Sequence, residues 1–445
     1  MPSSATHTSG ALSGIRVADF SWVRAGPQTT RSLALLGAEV IRIEWPEHAD
    51  LIRLGTVWAH PPGSGVTLNT SADFSNLNVN KLSFSIDVRK AQGLSRVREL
   101  IAISDVLVEN FRPSVMGRLQ LGYEEVRRIN PAIVYISMAG MGQTGPMRSY
   151  KAFGPSIQAM CGLTQLSGLP GKPPAGWGYS YMDLVAGYHG AIAILAALRH
   201  RAVTGRGQYI DLAQVETGAT MTGAAILDYT ANGRRTQRNG VPPGSRSAWP
   251  GNPLSNAYRG RQGAPHNSYP CKGGGHNDWC AISCFTDREW RGLVEAMGDP
   301  HGANHPKFLT LNDRLTHQDE LDAQIEAWTR TFDKYDVTER LQAKGVPAAP
   351  VQSIRDRVTR DPQLRHRGSF ASQTHHPLIG PKNVEGFPAN LAKGGWEVKR
   401  HGPLFGQDNA YLLREVLGLT QAEQEQGERD SLFWPANMSK KGAAH

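Results

Sequence analysis

The residue best suited to covalent chemistry is Asp183, which follows Tyr179-Ser-Tyr-Met and opens the longest apolar stretch of the chain, Leu184 to Leu198. That position places a carboxylate at or just before the first turn of a helix. From the residues alone, two roles stay open. As an N-cap, Asp183 accepts a free backbone N–H, a contribution of about 1 kcal/mol. Beside a pocket, the same carboxylate serves as a nucleophile or base. A second constellation is the run Gly273-Gly274-Gly275, a candidate active-site loop. Its N–H groups either close an ordinary hairpin turn or are offered to a developing oxyanion. The four cysteines, Cys161, Cys271, Cys280 and Cys284, are few and irregularly spaced. Even with His276 nearby they make a poor zinc pattern, so reduced structural thiols and no metal are expected.

The elements that must position these groups follow from local pattern. Gly14 to Asp19 reads as a strand entering Ser21-Trp-Val-Arg-Ala-Gly26-Pro27, where Pro27 suits a first helical turn. A helix to Leu36 and a strand at Val40-Ile-Arg-Ile43 follow. The alternation continues with strands at Leu82 to Asp87, Val106 to Val108, Ile133 to Ser137 and Tyr209 to Leu212, separated by helical segments. This is the pattern of an open parallel α/β sheet, whose ligands bind beyond the carboxyl ends of the strands. Arg24, Asn110, Phe111, Arg112 and the Gly140 to Gly145 segment therefore share one candidate rim. No GxGxxG is present, so a dinucleotide site is not indicated. From Asn232 to Pro253 the chain turns rich in Arg, Gly, Pro and Asn, which reads as a linker. Beyond it lies a different, smaller unit with a strand at Trp279 to Phe285, a helix from Asp287 to Met297 and helix over Leu321 to Leu341.

Composition excludes several classes. With 445 residues, 40% hydrophobic and 20% charged, the chain is an ordinary globular protein of about two or three domains. The N-terminus lacks a basic segment followed by an apolar one, so no signal peptide is readable. Leu184 to Leu198 is interrupted by Gly187, His189 and Gly190 and falls short of the ~20 apolar residues of a membrane span. A buried helix in a cytoplasmic protein is expected there, with no membrane partner. The net charge of +9 is scattered, without basic runs interleaved with aromatics. That argues for an anionic small molecule rather than nucleic acid.

Taken together, the motifs resemble those of the class III coenzyme A transferases, a family that includes carnitine, bile-acid and formyl-CoA transferases and the α-methylacyl-CoA racemases. The resemblance is carried by LSGIRVADFSWVRAGP (residues 12–27), GAEVIRIE (37–44), NKLSFSID (80–87) and DVLVENFRP (105–113). It continues through LGYEEVRRINPAIVYISMAGMGQTGP (121–146), MDLVAG (182–187), ALRHRAVTGRGQYIDL (197–212), LQAKGVPAAPV (341–351) and PLFGQ (403–407). It implies a Rossmann-like large domain with a smaller middle α+β domain and long linkers, in an interlocked homodimer. The implied boundaries are 1–215 for the first part of the large domain, 216–234 for a linker helix and 235–345 for the small domain. A return linker at 346–380 and a completing segment at 381–445 follow.

The resemblance further implies that Asp183 is the catalytic nucleophile, forming an anhydride with the donor acyl group and then a thioester with CoA. It places CoA contacts on Arg24, Ala25, Arg42, Lys81, Asn110, Phe111, Arg118 and Lys151. CoA and acyl-CoA are then substrates, with a carboxylic acid as second substrate and no permanently bound cofactor. Formyl-CoA transferases carry a basic residue after the second strand, where this chain has Trp45. Racemases carry a histidine in the stretch corresponding to Lys151-Ala-Phe-Gly-Pro-Ser156; its absence here argues for transfer, and His189 reads as a core or supporting group. The segment Ala264 to Trp279 is similar to the shorter form found in succinyl- and benzylsuccinate-type transferases, which suggests a dicarboxylate or aryl-substituted acid.

Overall fold

Short aliphatic strands alternating with helices produce a parallel sheet, because a strand returns in parallel only through a crossover. The computed structural model describes residues 10–54, 67–167, 173–233, 257–258, 261–298 and 305–434. The segment read as a linker, Asn232 to Pro253, lies almost wholly outside the described residues. The chain opens with β1 (Arg16–Asp19), α1 (Ala25–Leu35) and β2 (Glu39–Glu44). Next come α2 (Ala72–Leu77), β3 (Leu82–Ser85), α3 (Ala91–Ala102) and β4 (Val106–Glu109). They lead to α4 (Val115–Arg118), α5 (Tyr123–Ile129), β5 (Val134–Ala139) and α6 (Gly154–Met160). After α7 (Leu163–Leu166), α8 (Tyr181–Thr204) runs into β6 (Gln208–Ala213) and α9 (Gln214–Thr220).

Two compact units result. The larger comprises described residues within Met1–Cys161, Gly178–Met221 and Arg365–His445; the smaller lies within Gly162–Trp177 and Thr222–Leu364. In the larger unit six strands form one sheet in the order β3-β2-β1-β4-β5-β6, every pair parallel. Chain direction across the sheet reverses between β1 and β4, so a crevice opens there at the strands' carboxyl ends. Alternate strand residues feed the two faces: Ala18, Ile41 and Leu107 on one, Val17, Val40 and Val108 on the other. The edge strand β3 is covered by the C-terminal segment, whose Asp408 and Asn409 side chains accept the Ser83 and Ser85 N–H groups at 2.8 and 2.9 Å.

Helix α8 differs from the expected buried helix. It is 24 residues long, not 15, and by length and composition alone it is apolar enough to cross a membrane. One face lies on α1 through Gly187 and Gly190, where a Cβ would fall 2.7 Å from Gln28 Cβ and 2.6 Å from Thr29 Oγ1. Thr29 donates to the Gly187 carbonyl at 2.9 Å. The two glycines that interrupt the apolar stretch are therefore the contact that fixes the register of α8 against α1. The opposite face leaves Tyr188, Ile192 and Val203 exposed in the single chain. His189 is also exposed, and among the described residues its hydrogen bond runs along its own helix, Nδ1 lying 2.9 Å from the Val185 carbonyl.

The smaller unit contains α10 (Gly223–Asn232), β7 (Ala257–Tyr258), β8 (Arg261–Gln262), β9 (His266–Pro270) and β10 (Trp279–Ser283). Helices α11 (Asp287–Ala296), α12 (Leu311–Thr316), α13 (Gln318–Thr329) and α14 (Lys334–Gln342) precede β11 (Ala348–Pro350). Its main sheet is antiparallel, in the order β11-β10-β9. The single helix expected over Leu321 to Leu341 is two helices. Asp333 breaks it by accepting the Tyr335 N–H, an N-cap that starts α14 afresh.

Candidate active-site cleft at the crossover of the sheet

The crevice between β1 and β4 is occupied by a cleft of ≈ 230 Å³ lying wholly within the larger unit. Its walls are the segment after β1 (Trp22 to Ala25), the segment after β4 (Asn110 to Pro113) and the end of β5 with Gly140. Arg148, Tyr150, Ala152, Phe153, Asp183 and Gln214 complete it. The first two walls are tied together by one side chain: Asn110 accepts the Trp22 N–H at 2.7 Å and returns its amide to the Trp22 carbonyl at 2.8 Å. Phe111 meets the Trp22 ring edge-on at 5.3 Å. Beneath it, buried Glu109 accepts the Phe111 N–H at 2.8 Å, and burial pushes that carboxyl up to about 7.

The conformation of the first wall is unusual. Val23, a β-branched residue, has φ +61, a left-handed value that such side chains rarely adopt. Its N–H is held by both oxygens of Asp50, at 3.0 and 3.1 Å. Asp50 is fully buried and pairs with Arg42 at 2.5 Å. Arg42 in turn lies 3.4 Å from Glu44 and 3.9 Å from Asp19, and these carboxylates keep its guanidinium charged against the opposing effect of burial. Burial also opposes ionisation of Glu44, but Arg53 and Arg42 outweigh it and hold the group at about 2. Lys81 extends the network to the start of α1, donating to Thr30 Oγ1 at 2.7 Å, Asn78 Oδ1 at 2.9 Å and the Pro27 carbonyl at 3.1 Å. Burial lowers its ammonium to about 8.

Asp183 sits in the first turn of α8, three residues after the N-cap, which is Ser180. It is half-buried. Burial raises its carboxyl to about 6, against the lowering effects of the Arg24 charge, a Ser180 side-chain hydrogen bond and the Gly154 N–H. Arg24 is itself anchored by Asp73 and by Tyr179, whose hydroxyl it meets at 3.0 Å and whose ring it covers at 5.1 Å. A carboxylate that is ionised near neutral pH yet partly stripped of water has the properties a nucleophile needs.

Of the residues expected to contact CoA, the structure gathers Arg24, Ala25, Asn110 and Phe111 around the cleft with Asp183. Lys151 is exposed between two residues of its rim, Tyr150 and Ala152, and Arg118 is exposed at the end of α4. Arg42 and Lys81 are not brought to the cleft: both are 0% exposed and engaged in the network beneath it. The Gly273 to Gly275 run forms the β9–β10 turn in the smaller unit. Gly273 and Gly274 have φ of 108 and 67, and the Gly274 and Gly275 N–H groups donate within the turn, to the Cys271 carbonyl and to Asp278. Trp22, Arg148, Tyr150 and Gln214 are lining residues that the sequence reading passed over; Gln214 follows a strand's carboxyl end, and that rule could have found it. Among the described residues no cluster of three or more His, Cys, Asp or Glu is placed to hold a metal ion, and the four cysteines are free and buried.

Comparison with known proteins gives a consistent picture. Residues 12–409 match the family described as CoA-transferase family III. The chain is 32% identical over 410 residues to a succinyl-CoA–D-citramalate CoA-transferase of Chloroflexus aurantiacus, covering 92% of this chain and 95% of that protein. A formyl-CoA:oxalate CoA-transferase of Streptomyces coelicolor is 33% identical over 423 residues, with 94% and 97% covered. Among solved structures, a CAIB/BAIF family protein from Brucella suis superposes with a TM-score of 0.78 at 28% identity, covering 92% of this chain and all of that one.

Proposed function

The chain belongs to CoA-transferase family III and is a CoA-transferase, and we propose that Asp183 carries the transfer covalently. In this reading the Asp183 carboxylate attacks the carbonyl carbon of a donor thioester, breaking its C–S bond to give an aspartyl anhydride and CoA thiolate. The thiolate attacks the aspartyl carbonyl and expels the donor carboxylate, leaving CoA as an aspartyl thioester. An acceptor carboxylate displaces CoA to form a second anhydride. The thiolate then takes the acceptor acyl group and restores Asp183. The observation that carries this reading is a half-buried carboxylate that lines the cleft, takes a hydrogen bond from the Gly154 N–H and is pushed up to about 6 by burial. That N–H is placed to stabilise negative charge on the aspartyl oxygen in the two steps that pass through a tetrahedral aspartyl carbon, thiolate attack on the first anhydride and acceptor attack on the aspartyl thioester.

CoA is proposed to enter over Arg24, Ala25, Asn110 and Phe111, with Lys151 and Arg118 toward its phosphates, while Arg42 and Lys81 act as supports. The Gly273 to Gly275 turn is kept as a candidate cover. Relatives named as succinyl-CoA transferases support a dicarboxylyl-CoA donor such as succinyl-CoA. The exposed apolar side chains of α8 support burial against a second copy of the chain in an interlocked homodimer. The proposed large domain combines 1–215 with 381–445, the small one spans 235–345, and 216–234 and 346–380 link them; the free thiols support a reducing compartment such as the cytoplasm. No histidine lines the cleft among the described residues, which favours transfer over racemisation.

The test is a panel of acyl-CoA donors and carboxylic acids followed by mass spectrometry. The expected result is a new acyl-CoA formed only when donor and acid are both present, with one free acid released per thioester made. Hydrolysis to free CoA alone, or exchange of the α-hydrogen with solvent without transfer, contradicts it.

A further inference from the structure

Gln214 is the first residue of α9, directly after β6, and its backbone is fixed on both sides. The Val215 N–H donates to the Gly140 carbonyl at 3.0 Å, and the Thr217 hydroxyl donates to the Gln214 carbonyl at 2.7 Å. Its side chain is 94% buried by the residue's 6% exposure and lines the same cleft as Asp183. Yet among the described residues its amide makes no hydrogen bond, and the amide oxygen is both buried and unpartnered. A buried amide left unpaired is unfavourable, and cores place apolar side chains at such positions unless something else completes the bond.

Three of the other polar groups around the cleft are already engaged. Asn110 uses both ends of its amide on Trp22, Arg24 is held by Asp73 and Tyr179, and Asp183 takes its contacts from Ser180 and Gly154. Gln214 is not part of the Asp183 support. It shares the lining of the cleft with the apolar Met138, Ala139 and Ala152. The unpartnered atom is an acceptor, so it calls for a donor. An ionised carboxylate has none to give, whereas a hydroxyl both donates to the oxygen and accepts from the adjoining NH₂.

We propose that Gln214 is a specificity-determining residue that recognises a hydroxyl group on the transferred acyl chain, so that the enzyme prefers hydroxy-substituted acids over their deoxy counterparts. This rests on the transferase reading above. A site built around a buried hydrogen bond rejects the analogue lacking the group, because the site's own polar atom is then left unpaired.

The experiment compares acids that differ by one hydroxyl, malate with ¹³C-labelled succinate and 3-hydroxybutyrate with butyrate, using acetyl-CoA, formyl-CoA and succinyl-CoA as donors. Wild-type kcat/KM is expected to favour the hydroxy acid of at least one pair by about tenfold or more. The near-isosteric Gln214→Met is expected to erase that preference by slowing the hydroxy acid while leaving the deoxy acid and the CoA affinity, measured by calorimetry, within about twofold. Gln214→Asn, which retracts the amide by one methylene, is expected to act in the same direction and serves if the Met variant folds poorly. An equal loss for both acids, a weakened CoA affinity in place of a changed preference, or no change in either variant overturns the assignment while leaving the transferase reading intact. Wild-type enzyme that transfers CoA to no acid in the panel while still binding CoA overturns both.

Discussion

A methyl group on Gly154 would lie 2.7 Å from Oδ2 of Asp183 and 2.9 Å from Cβ of Ser180. The backbone of α6 therefore approaches the carboxylate as closely as a residue without a side chain allows, and its N–H reaches the acid directly. This contact joins three levels of the account: the glycine between Phe153 and Pro155, the seating of α6 against the start of α8, and the orientation of the proposed nucleophile.

Gly154→Ala is accordingly expected to fold, at a cost of about 1–3 kcal/mol for the overpacking, and to displace the carboxylate. A shift of about 1 Å at a reacting group lowers turnover on the order of 10²-fold. Steady-state kinetics with a thermal melt as control checks this. An Ala variant with unaltered kcat contradicts the close contact.

The ionisation of Asp183 predicts two pH effects of known sign. Burial raises the folded-state carboxyl to about 6, so adduct formation should fall tenfold per pH unit below that value, where the group is protonated. Arg24 lowers the value, so Arg24→Met should move the acid limb to higher pH. Stability runs the other way: a raised carboxyl contributes fully below the unfolded value near ~4 and loses that contribution as pH rises through about 6. Asp183→Asn should therefore be more stable than the parent at pH 8, by about 1–3 kcal/mol, and equal to it near pH 3. Denaturant titrations at the two pH values decide.

The support under Trp22 to Ala25 is a buried charge network, and removing one member exposes its role. Asp50→Ala leaves the fully buried Arg42 without its closest partner and frees the Val23 N–H. A loss of about 3–5 kcal/mol is expected. Val23→Gly instead relieves a left-handed φ of +61 and should be neutral or stabilising by about 1 kcal/mol. Urea unfolding of both variants is the check; an Asp50→Ala variant within 1 kcal/mol of the parent contradicts the network.

Most of the sheet was legible because its signals are local. The runs at Val17, Val40, Val106 and Val134 are short, aliphatic and separated by helix-length segments, and that alone specifies parallel strands. Asp183 was legible as a group at a helix entrance, but its role was open until motif resemblance spoke. What stayed hidden depends on contacts distant in sequence. Arg42 and Lys81 have the right charge for a phosphate, and nothing nearby in the chain shows that Asp19, Asp50 and Thr30 close over them. Hydropathy marks α8 as buried because it does not say which apolar face has a partner within the same chain. The break before α14 depends on Asp333 choosing a cap over a helix interior, a competition that an apolar spacing pattern does not register.

The measurement that bears most directly on the account is covalent trapping at Asp183. Enzyme incubated with its acyl-CoA donor and no acceptor, then treated with hydroxylamine or borohydride and digested, should carry the modification on Asp183 and nowhere else. Asp183→Ala should show neither adduct nor transfer while remaining folded, since Ser180 and not Asp183 is the N-cap of its helix. An acyl or CoA adduct mapped reproducibly to another side chain, or normal transfer by rigorously purified Asp183→Ala enzyme, contradicts it.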